Sequence, residues 1–461
     1  RAIADGLDVA KEELVARAHL ETALPLPRLQ GEVARTSNQL RLFAALLEEG
    51  SWVDARIDRG DPVRTPLPKP DLRSMLCPIG TVVVFGASNF PLAFSVAGGD
   101  TASALAAGNP VIVKAHPAHP GTGELAGEII RESAERCGLP EGVFSLLFDS
   151  GFEVGRRLVE HPSVNAVAFT GSLGAGRALM DLAAARPKPI PCFMEMGSVN
   201  PLFVLPGAAA QRAKEIGKAV YGSFTLGSGQ FCTKPGLVFV GRTAGGECVV
   251  ETLRELTAGS DPQKTLTPEI AVRYLRGIDE RVAAKLRATR PACWDSSCTV
   301  PVTLLETDAS VLLDHPECAE ELFGPTALVV RYGEEEELVR AAKELRGQLT
   351  ASIIATDADL ARHKALLAIL ERKAGRIVFN GTPTGVEVCA AMVHGGPYPA
   401  TSDGRSTSVG TRAILRFARP VCYQDCPQSR LPEELRDENP LGILRMVDGV
   451  SSRDAALRKP S

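Results

Sequence analysis

From Thr81 to Met194 the chain alternates short apolar runs with longer Ala-rich stretches, and this alternation constrains the fold more than any other feature. The apolar runs have the length of strands, and the stretches between them have the length of helices. The predicted strands are 81–85, 111–113, 143–148, 164–169 and 191–194, and the predicted helices are 92–107, 122–137, 152–160 and 174–185. Nearly continuous apolar strands joined by helices predict a parallel sheet covered on both faces, with ligands bound beyond the carboxyl ends of its strands.

A second α/β lobe is predicted from Ser198 to about Ser408. Its expected strands are 202–205, 237–240, 328–330, 353–354 and 377–379, whereas the polar segment 257–301 is helix-rich and fits no clear pattern. The first eighty residues are predicted to be helical, because apolar residues recur at near-helical intervals and a helix stop follows. Those positions are Val33, Leu40, Phe43 and Leu47, with the stop at Gly50.

Two other segments are expected at the edges of the fold. The Pro-rich stretch 61–78 reads either as a linker or as an extended hairpin on a sheet edge, near 62–78. The tail carries Ile414, Leu415, Phe417 and Val421 and is predicted to be an oligomerisation arm. The expected division is therefore a first domain over 1–197, a second over 198–408 and an arm over 409–461.

Composition excludes several classes of protein. With a net charge of -4 and interspersed acids and bases, the 461-residue chain has no basic field for nucleic acid or anionic lipid. No apolar run reaches the about 18 residues that span a bilayer, and no signal peptide opens the chain. The eleven cysteines lack the spacing of a secreted scaffold. These features predict a cytoplasmic protein with reduced thiols, small-molecule partners and no membrane contact.

The cysteines also bear on metal binding. Cys293 and Cys298, like Cys422 and Cys426, are close in sequence. Neither pair has the second cysteine pair or the histidines that complete tetrahedral zinc spacing, so no metal site is expected.

Cys232 is the cysteine with the strongest case for reactivity. Most free cysteines are small core residues, but Cys232 ends the stretch Gly229-Gln230-Phe231-Cys232, whose small and polar residues favour a turn that exposes sulfur. A nucleophilic cysteine needs exposure, groups that favour the thiolate and a nearby base. The carboxylate of Glu195, in Phe193-Met194-Glu195-Met196-Gly197, is the candidate base.

Three further segments lie at the expected carboxyl ends of strands. The run from Gly171 through Ser172 to Gly176 opens a helix whose free N–H groups can face an anion such as pyrophosphate, although such turns are often only turns. Lys114 can reach a ribose hydroxyl or phosphate, but a solvated lysine is the commoner case. Asn89 can donate into the same cleft or simply form a turn.

Read together, these segments resemble the aldehyde dehydrogenase superfamily over nearly the whole chain. Six matches occur in the family's order: Ser88-Asn89-Phe90-Pro91, Val113-Lys114, Phe169-Thr170-Gly171-Ser172, Glu195-Met196-Gly197, Gly229-Gln230-Phe231-Cys232 and Glu320-Glu321-Leu322-Phe323-Gly324-Pro325. The resemblance implies an α/β fold with a Rossmann-like cofactor domain, an α/β catalytic domain and a bridging arm that builds homodimers or homotetramers.

The resemblance also implies residue roles. Cys232 would be the nucleophile, Glu195 the general base and Asn89 an oxyanion donor. The implied cofactor-binding residues are Lys114, Gly171, Ser172, Gly176, Glu321 and Phe323. The substrate is expected to meet Phe90, and Arg405 is the candidate cation for a substrate carboxylate, against the alternative of a surface arginine.

Later segments resemble the 2-oxoglutarate semialdehyde dehydrogenase branch of this family. They are Val386-Glu387-Val388-Cys389, the block 394–405 and the stretch 419–425. Branches specific to fatty aldehydes have similar blocks, so a long-chain aldehyde is the alternative substrate. Acylating or phosphate-linked relatives generally lack the base glutamate, and a non-catalytic structural homologue would not need Cys232, Glu195 and Asn89 together.

The preferred cofactor is predicted from one position at which this sequence differs from many members of the family. After Lys114 many NAD-preferring members read Pro-Ala-Glu, and here Pro117 stands where that acid would be. Without the carboxylate a 2′-phosphate is not repelled, so NADP is expected to be preferred and NAD to be possible. Ser198, where a second glycine is common, is a further departure with no predicted effect.

Overall fold

The computed structural model describes residues 1–291 and 298–456 of the chain. Three amino-terminal helices precede a five-stranded parallel sheet, which is followed by a seven-stranded sheet and a carboxyl-terminal tail. No helix in these ranges is long and apolar enough to cross a membrane. Cys293, considered above for a zinc site, lies outside the described residues.

The amino-terminal helices cover one face of the first sheet. They are α1 (Ala2–Val9), α2 (Lys11–Thr22) and α3 (Leu26–Glu49). Val33 and Phe43 of α3 are buried in the core that also contains the strands of that sheet, whereas Leu47 is exposed. The predicted helix stop is confirmed: Gly50 adopts a left-handed φ of +79° and donates its N–H to the Leu46 carbonyl.

The Pro-rich stretch 61–78 ends in an extended strand. Strand β1 (Arg56–Asp58) pairs antiparallel with β2 (Leu72–Pro78), and an isolated bridge joins Asp61 to Lys69 between them.

The first sheet has the predicted parallel α/β order. Its elements are β3 (Val82–Phe85), α4 (Gly99–Ala106), β4 (Val111–Lys114), α5 (Pro120–Arg136), β5 (Phe144–Leu147), α6 (Glu153–Glu160), β6 (Ala166–Thr170), α7 (Leu173–Ala184) and β7 (Cys192–Glu195). The strands lie in the order β5-β4-β3-β6-β7, all parallel. The order reverses beside β3, and such a switch point opens a ligand crevice at the carboxyl ends of the strands.

One predicted helix is shorter than expected. The pattern predicts a helix over 92–107, but residues 91–98 form turns and α4 begins only at Gly99. The buried Glu32 carboxylate accepts the backbone N–H groups of Leu92 and Ala93, both at 2.9 Å. A contact from a distant helix therefore holds this apolar segment in turns, and periodicity within the segment does not reveal it.

The second lobe contains the seven-stranded sheet. Its elements are β8 (Leu202–Val204), α8 (Pro206–Thr225), β9 (Leu237–Gly241), α9 (Ala244–Ala258), β10 (Gln263–Lys264), α10 (Pro268–Ala283), β11 (Arg287–Thr289), β12 (Thr299–Val300), β13 (Thr303–Asp308), α11 (Ala309–Asp314), β14 (Thr326–Tyr332), α12 (Glu335–Glu344), β15 (Gln348–Ile354), α13 (Asp357–Arg362), α14 (Lys364–Leu370) and β16 (Ala374–Phe379). The strand order is β11-β13-β14-β9-β8-β15-β16, with β11 antiparallel and the rest parallel. Every residue of β9, β14 and β15 is buried, as a parallel sheet covered on both faces requires.

In the segment 257–301, which the sequence did not place, the described residues form mainly α10 and short strands. β10 pairs with β12, and β11 forms the antiparallel edge of the large sheet. Short 3-10 turns occur at Ser51–Val53, Leu226–Gly229, Pro316–Ala319, Thr411–Phe417, Gln428–Arg430 and Glu433–Leu435.

The tail returns to the amino-terminal half. Ile414 and Phe417 are buried in the core of the first sheet, so their apolar character is accounted for within the chain. Strand β17 (Ala418–Gln424) then pairs antiparallel with all seven residues of β2. With β18 (Arg445–Val447) and β19 (Val450–Ser452) these strands form a sheet in the order β17-β2-β1-β18-β19.

Candidate active site

A deep cleft opens at the carboxyl ends of the first sheet, where the two lobes meet. Its volume is about 1050 Å³, and its walls include Ser172 and Gly174 from the first lobe and Glu321 from the second. This is at the upper end of the size of small-molecule sites and suits an extended ligand.

The loop after β6 provides the anion-facing end of the cleft. The Gly171 N–H donates to the Glu195 carbonyl at 3.0 Å, which fixes the turn between β6 and α7. Ser172 caps α7, and its Oγ accepts the Ala175 N–H at 3.4 Å. A Cβ at Gly174 would meet nothing within 4 Å, whereas one at Gly176 would strike the Met196 side chain. The amino terminus of α7 therefore faces open space, as phosphate binding requires.

Glu321 lies across the cleft against the chain that follows β7. A Cβ at Gly197, whose φ is +98°, would lie 2.2 Å from Glu321 Oε2, so only glycine fits there. Burial raises the pKa of Glu321, while the charge of Lys234 and the Ser198 N–H oppose that rise. Phe323, two residues further on, is half-buried.

Lys114 ends β4 at the same edge of the sheet but is not among the residues that line the cleft. Burial lowers its pKa, and the carboxylate of Asp149 opposes that shift. Burial also lowers the pKa of His116 to about 3, so this imidazole is neutral at physiological pH. Pro117 is exposed.

Cys232 lies in a turn of the second lobe and, like Glu195 and His394, is not among the residues that line this cleft, although Met196 and Gly197, which follow Glu195, are. It follows a 3-10 segment in which a Cβ at Gly229, at φ +64°, would strike the Gly324 carbonyl. The Asn200 amide donates to the Cys232 carbonyl at 2.8 Å and to the Lys234 carbonyl at 2.9 Å, which anchors the turn after the sulfur. The residue is partly accessible, unlike most structural cysteines.

The structure brings Glu195 to this sulfur. Glu195 ends β7 and is only 3% exposed. The loop 394–408 runs beside it, with a bridge between Glu195 and Thr401. The Ser408 hydroxyl donates to Glu195 Oε2 at 2.7 Å, and Cys232 Sγ lies within 4.8 Å of an oxygen of the same carboxylate.

His394 completes the cluster, and sequence reasoning missed this role. Its Nε2 lies 3.0 Å from Glu195 Oε1 and 3.5 Å from Cys232 Sγ. The side chain is 1% exposed, and within the described chain its buried Nδ1 has no hydrogen-bond partner. The available signal was a rare histidine, one of seven, at the start of the Gly- and Pro-rich block 394–405.

The electrostatics of the cluster differ from those of a preformed thiolate. Burial raises the pKa of Cys232 well above its usual range and the negative charge of Glu195 raises it further, while Arg35 opposes the shift. Burial by itself would raise the pKa of Glu195, but the charge and hydrogen bond of His394, with Ser408 and Cys232, lower it overall. The resting pair is therefore a thiol that faces a carboxylate.

This cluster is also a chemically reasonable set of metal ligands. One donor atom each from Cys232, Glu195 and His394 lies within 4.8 Å of the others. Sulfur, imidazole nitrogen and carboxylate oxygen are all accepted by zinc. The expectation of no metal site considered only cysteine spacing and stays a prediction.

The remaining predicted residues divide into two groups. The Asn89 amide lies beside the turn of Cys232, since its Nδ2 donates to the Gln230 carbonyl at 2.9 Å. Phe90 packs edge-to-face on Phe231, with ring centroids 5.2 Å apart. Arg405 does not join them: its side chain is 93% exposed and pairs with Asp403.

Comparison with known proteins agrees with this architecture. The model of the aldehyde dehydrogenase family matches residues 1–408. The chain is 50% identical over 454 residues to alpha-ketoglutaric semialdehyde dehydrogenase 2 of Azospirillum brasilense, covering 97% of this chain and 86% of that protein. It is 49% identical over 438 residues to alpha-ketoglutaric semialdehyde dehydrogenase of Acinetobacter baylyi, covering 94% and 83%.

Solved structures show the same fold at lower identity. Lactaldehyde dehydrogenase from Escherichia coli has a TM-score of 0.78 at 23% identity, covering 92% of this chain and 85% of that one. Glyceraldehyde-3-phosphate dehydrogenase GapN from Methanocaldococcus jannaschii, solved with NADP, has a TM-score of 0.76 at 22% identity, covering 92% and 87%. From its sequence and its fold, the chain is a member of the aldehyde dehydrogenase family.

Proposed function

We propose that this aldehyde dehydrogenase oxidises 2-oxoglutarate semialdehyde to 2-oxoglutarate with a nicotinamide nucleotide. The convergence of Cys232, Glu195 and His394, directly beside the cleft-lining residue Met196, carries the proposal. The substrate is suggested by the two relatives of about half-identical sequence, which are alpha-ketoglutaric semialdehyde dehydrogenases.

The first step is attack of sulfur on the aldehyde carbon. Because the resting group is a thiol with a raised pKa, its proton must leave as the carbon–sulfur bond forms, and Glu195 is the adjacent acceptor. The new oxyanion accepts hydrogen bonds from the second Nδ2 hydrogen of Asn89 and from the Cys232 N–H. One such donor lowers the barrier by about 3 kcal/mol.

The second step is oxidation followed by hydrolysis. The nucleotide, when bound, supplies the hydride acceptor, and the amino terminus of α7 with Ser172 and Glu321 would hold it in the cleft. A thioester to Cys232 remains after the hydride has left. Glu195 releases the thiol proton to bulk water and then takes a proton from a water molecule that attacks this thioester. The carbon–sulfur bond breaks, the carboxylic acid leaves, and the departing sulfur recovers a proton from Glu195 to restore the thiol.

His394 is proposed as a positioning residue for Glu195. Its hydrogen bond and charge keep this buried carboxylate ionised and oriented. Without them the cost of burial would favour the neutral carboxyl, which cannot accept a proton.

We also propose that the chain assembles as a homodimer or homotetramer, with the division into domains over 1–197 and 198–408 and an arm over 409–461. Support comes from β17, an edge strand of its sheet whose outward residues are largely exposed, and from the exposed Val63 and Leu67 before β2. Sedimentation equilibrium measures the stoichiometry.

The catalytic proposal predicts distinct failures for two variants. Cys232→Ala should show neither a burst of reduced nucleotide nor turnover, because no covalent adduct forms. Glu195→Gln should lower the rate constants of both the burst and the steady state by about 10²–10⁴-fold, because both steps need its proton acceptor. Rapid-mixing absorbance with 2-oxoglutarate semialdehyde measures both phases. A full-rate burst in Glu195→Gln would restrict Glu195 to the hydrolytic step, and normal turnover in Cys232→Ala would overturn the proposal.

The role of His394 predicts a change in pH dependence. The lowered pKa of Glu195 places the acidic limb of kcat/KM below the carboxyl's usual range, and His394→Ala should move that limb upward by roughly 1 pH unit or more. His394→Gln can still donate a hydrogen bond and should move it less. An unchanged limb in His394→Ala, measured from pH 4.5 to 9, would contradict the positioning role.

We propose NADP as the preferred cofactor, with NAD accepted. The exposed Pro117 offers no carboxylate to repel a 2′-phosphate, and the charge of Lys114 lies at the same strand end, although Asp149 is close to that lysine. The kcat/KM for NADP should exceed that for NAD in steady-state assays. Lys114→Ala should lose about tenfold more with NADP than with NAD, while the exposed Lys188→Ala serves as the control. A tenfold preference of the wild type for NAD would contradict this prediction.

A further inference from the structure

Three arginines near the nucleophile lack a carboxylate partner in the described chain. Arg28, Arg35 and Arg376 form no ion pair there, and each has a buried guanidinium nitrogen without a hydrogen-bond acceptor. The nitrogens concerned are Arg28 Nε and Nη1, Arg35 Nη1 and Arg376 Nε. Burying a cation without an acceptor is costly, so such groups commonly await an anionic ligand.

Arg35 differs from the other two in donating no hydrogen bond to any described residue, whereas Arg28 and Arg376 each bind backbone carbonyls. It lies on α3, and its guanidinium is stacked 4.9 Å from the centre of the Phe94 ring. That ring is in turn 6.2 Å from the ring of His394. Burial lowers the pKa of Arg35, and attraction to Glu32, Cys232 and Glu195 in their ionised forms opposes that shift. The guanidinium is therefore within electrostatic reach of the reacting sulfur.

Arg28 has a different role and lies about two turns earlier on α3. Its Nη2 donates to the Asn89 carbonyl at 2.6 Å, and its guanidinium lies 4.9 and 4.8 Å from the ring centres of Phe90 and Phe231. These two rings adjoin Asn89 and Cys232 in sequence. Arg28 thus fixes the position of Asn89, the proposed oxyanion donor, relative to the turn that carries Cys232.

Arg376 adds positive charge from the second lobe. It lies on β16, and its Nη1 and Nη2 donate to the carbonyls of Gly385 and Pro383. Burial lowers the pKa of Arg376, and attraction to the thiolate form of Cys232 opposes that shift.

Glu32 is the one acid between Arg28 and Arg35, and it does not neutralise them. Its Oε1 accepts the N–H groups of Leu92 and Ala93, and its Oε2 has no partner among the described residues. Burial raises its pKa, which favours the neutral carboxyl. The wall of the site formed by α3 therefore retains net positive charge.

We propose that Arg35 binds the remote carboxylate of the aldehyde substrate, with Arg376 contributing charge from the other lobe and Arg28 acting as a positioning residue. The inference rests on the proposed function of Cys232 as the nucleophile. It assigns the site a preference for short aldehydes that carry a terminal carboxylate over neutral aldehydes of similar length. In this proposal Arg35 takes the place of Arg405 as the residue that binds the substrate carboxylate, because the exposed side chain of Arg405 pairs with Asp403.

The test compares two substrates in matched variants. For Arg35→Met, kcat/KM with 2-oxoglutarate semialdehyde should fall by about a hundredfold, mostly through KM, because a buried charge-assisted contact is lost. With pentanal, which has no carboxylate, kcat/KM should change by less than about threefold, since the nucleophile and base are intact. Arg35→Lys should recover part of the loss. Arg41→Met, on the exposed side of the same helix, is the control and should match the wild type with both aldehydes.

The outcomes separate the two proposals. If kcat/KM of Arg35→Met falls equally with both aldehydes, or falls with neither, Arg35 does not bind the substrate carboxylate. Wild-type activity on 2-oxoglutarate semialdehyde would still support the proposed function in that case. A wild type that oxidises neither aldehyde would instead refute the proposed function. If circular dichroism shows that Arg35→Met is poorly folded, the Kd of 2-oxoglutarate for Arg35→Lys tests the carboxylate role instead. A Kd within twofold of the wild-type value would contradict the role of Arg35.

Discussion

The hydrogen-bonded contact among Cys232, Glu195 and His394 is the interaction on which the site depends. A carboxylate that is 3% exposed is stable as an anion only if donors surround it, and His394 and Ser408 are those donors. The same anion raises the pKa of the neighbouring thiol. One buried charge therefore both suppresses the free thiolate and supplies the acceptor for its proton.

The first lobe, the second lobe and the loop 394–408 each contribute one part of this contact. The first sheet ends in Glu195, the second lobe supplies the turn of Cys232, and the loop 394–408 brings His394 and Ser408 by pairing beside β7. The large cleft opens next to this contact, because the residues that follow Glu195 and the Glu321 segment both line it. Helix α3 adds cationic side chains to the wall near the sulfur.

Local patterns predicted most of the fold and part of the site. The parallel strands, the helix stop at Gly50 and the loop at Ser172 follow from periodicity and glycine chemistry within a few residues. The turns over 91–98 and the contacts of His394 do not, because each depends on a partner that is distant in sequence. Likewise, nothing in the local sequence distinguishes Arg35 from any other helical arginine, and only the fold places it beside Phe94. Arg405 was the sequence-based candidate for binding a substrate carboxylate, but it lies at the surface.

The most direct test of the central claim is the pH dependence of alkylation at Cys232. The rate of iodoacetamide modification, followed by mass spectrometry of the Cys232 peptide, reports the thiolate fraction. The rate in the wild type should still be rising at pH 9, and Glu195→Gln should shift the curve to lower pH, because removing the neighbouring negative charge lowers the thiol pKa. A wild-type curve that levels off below pH 8 and is unchanged in Glu195→Gln would contradict the account.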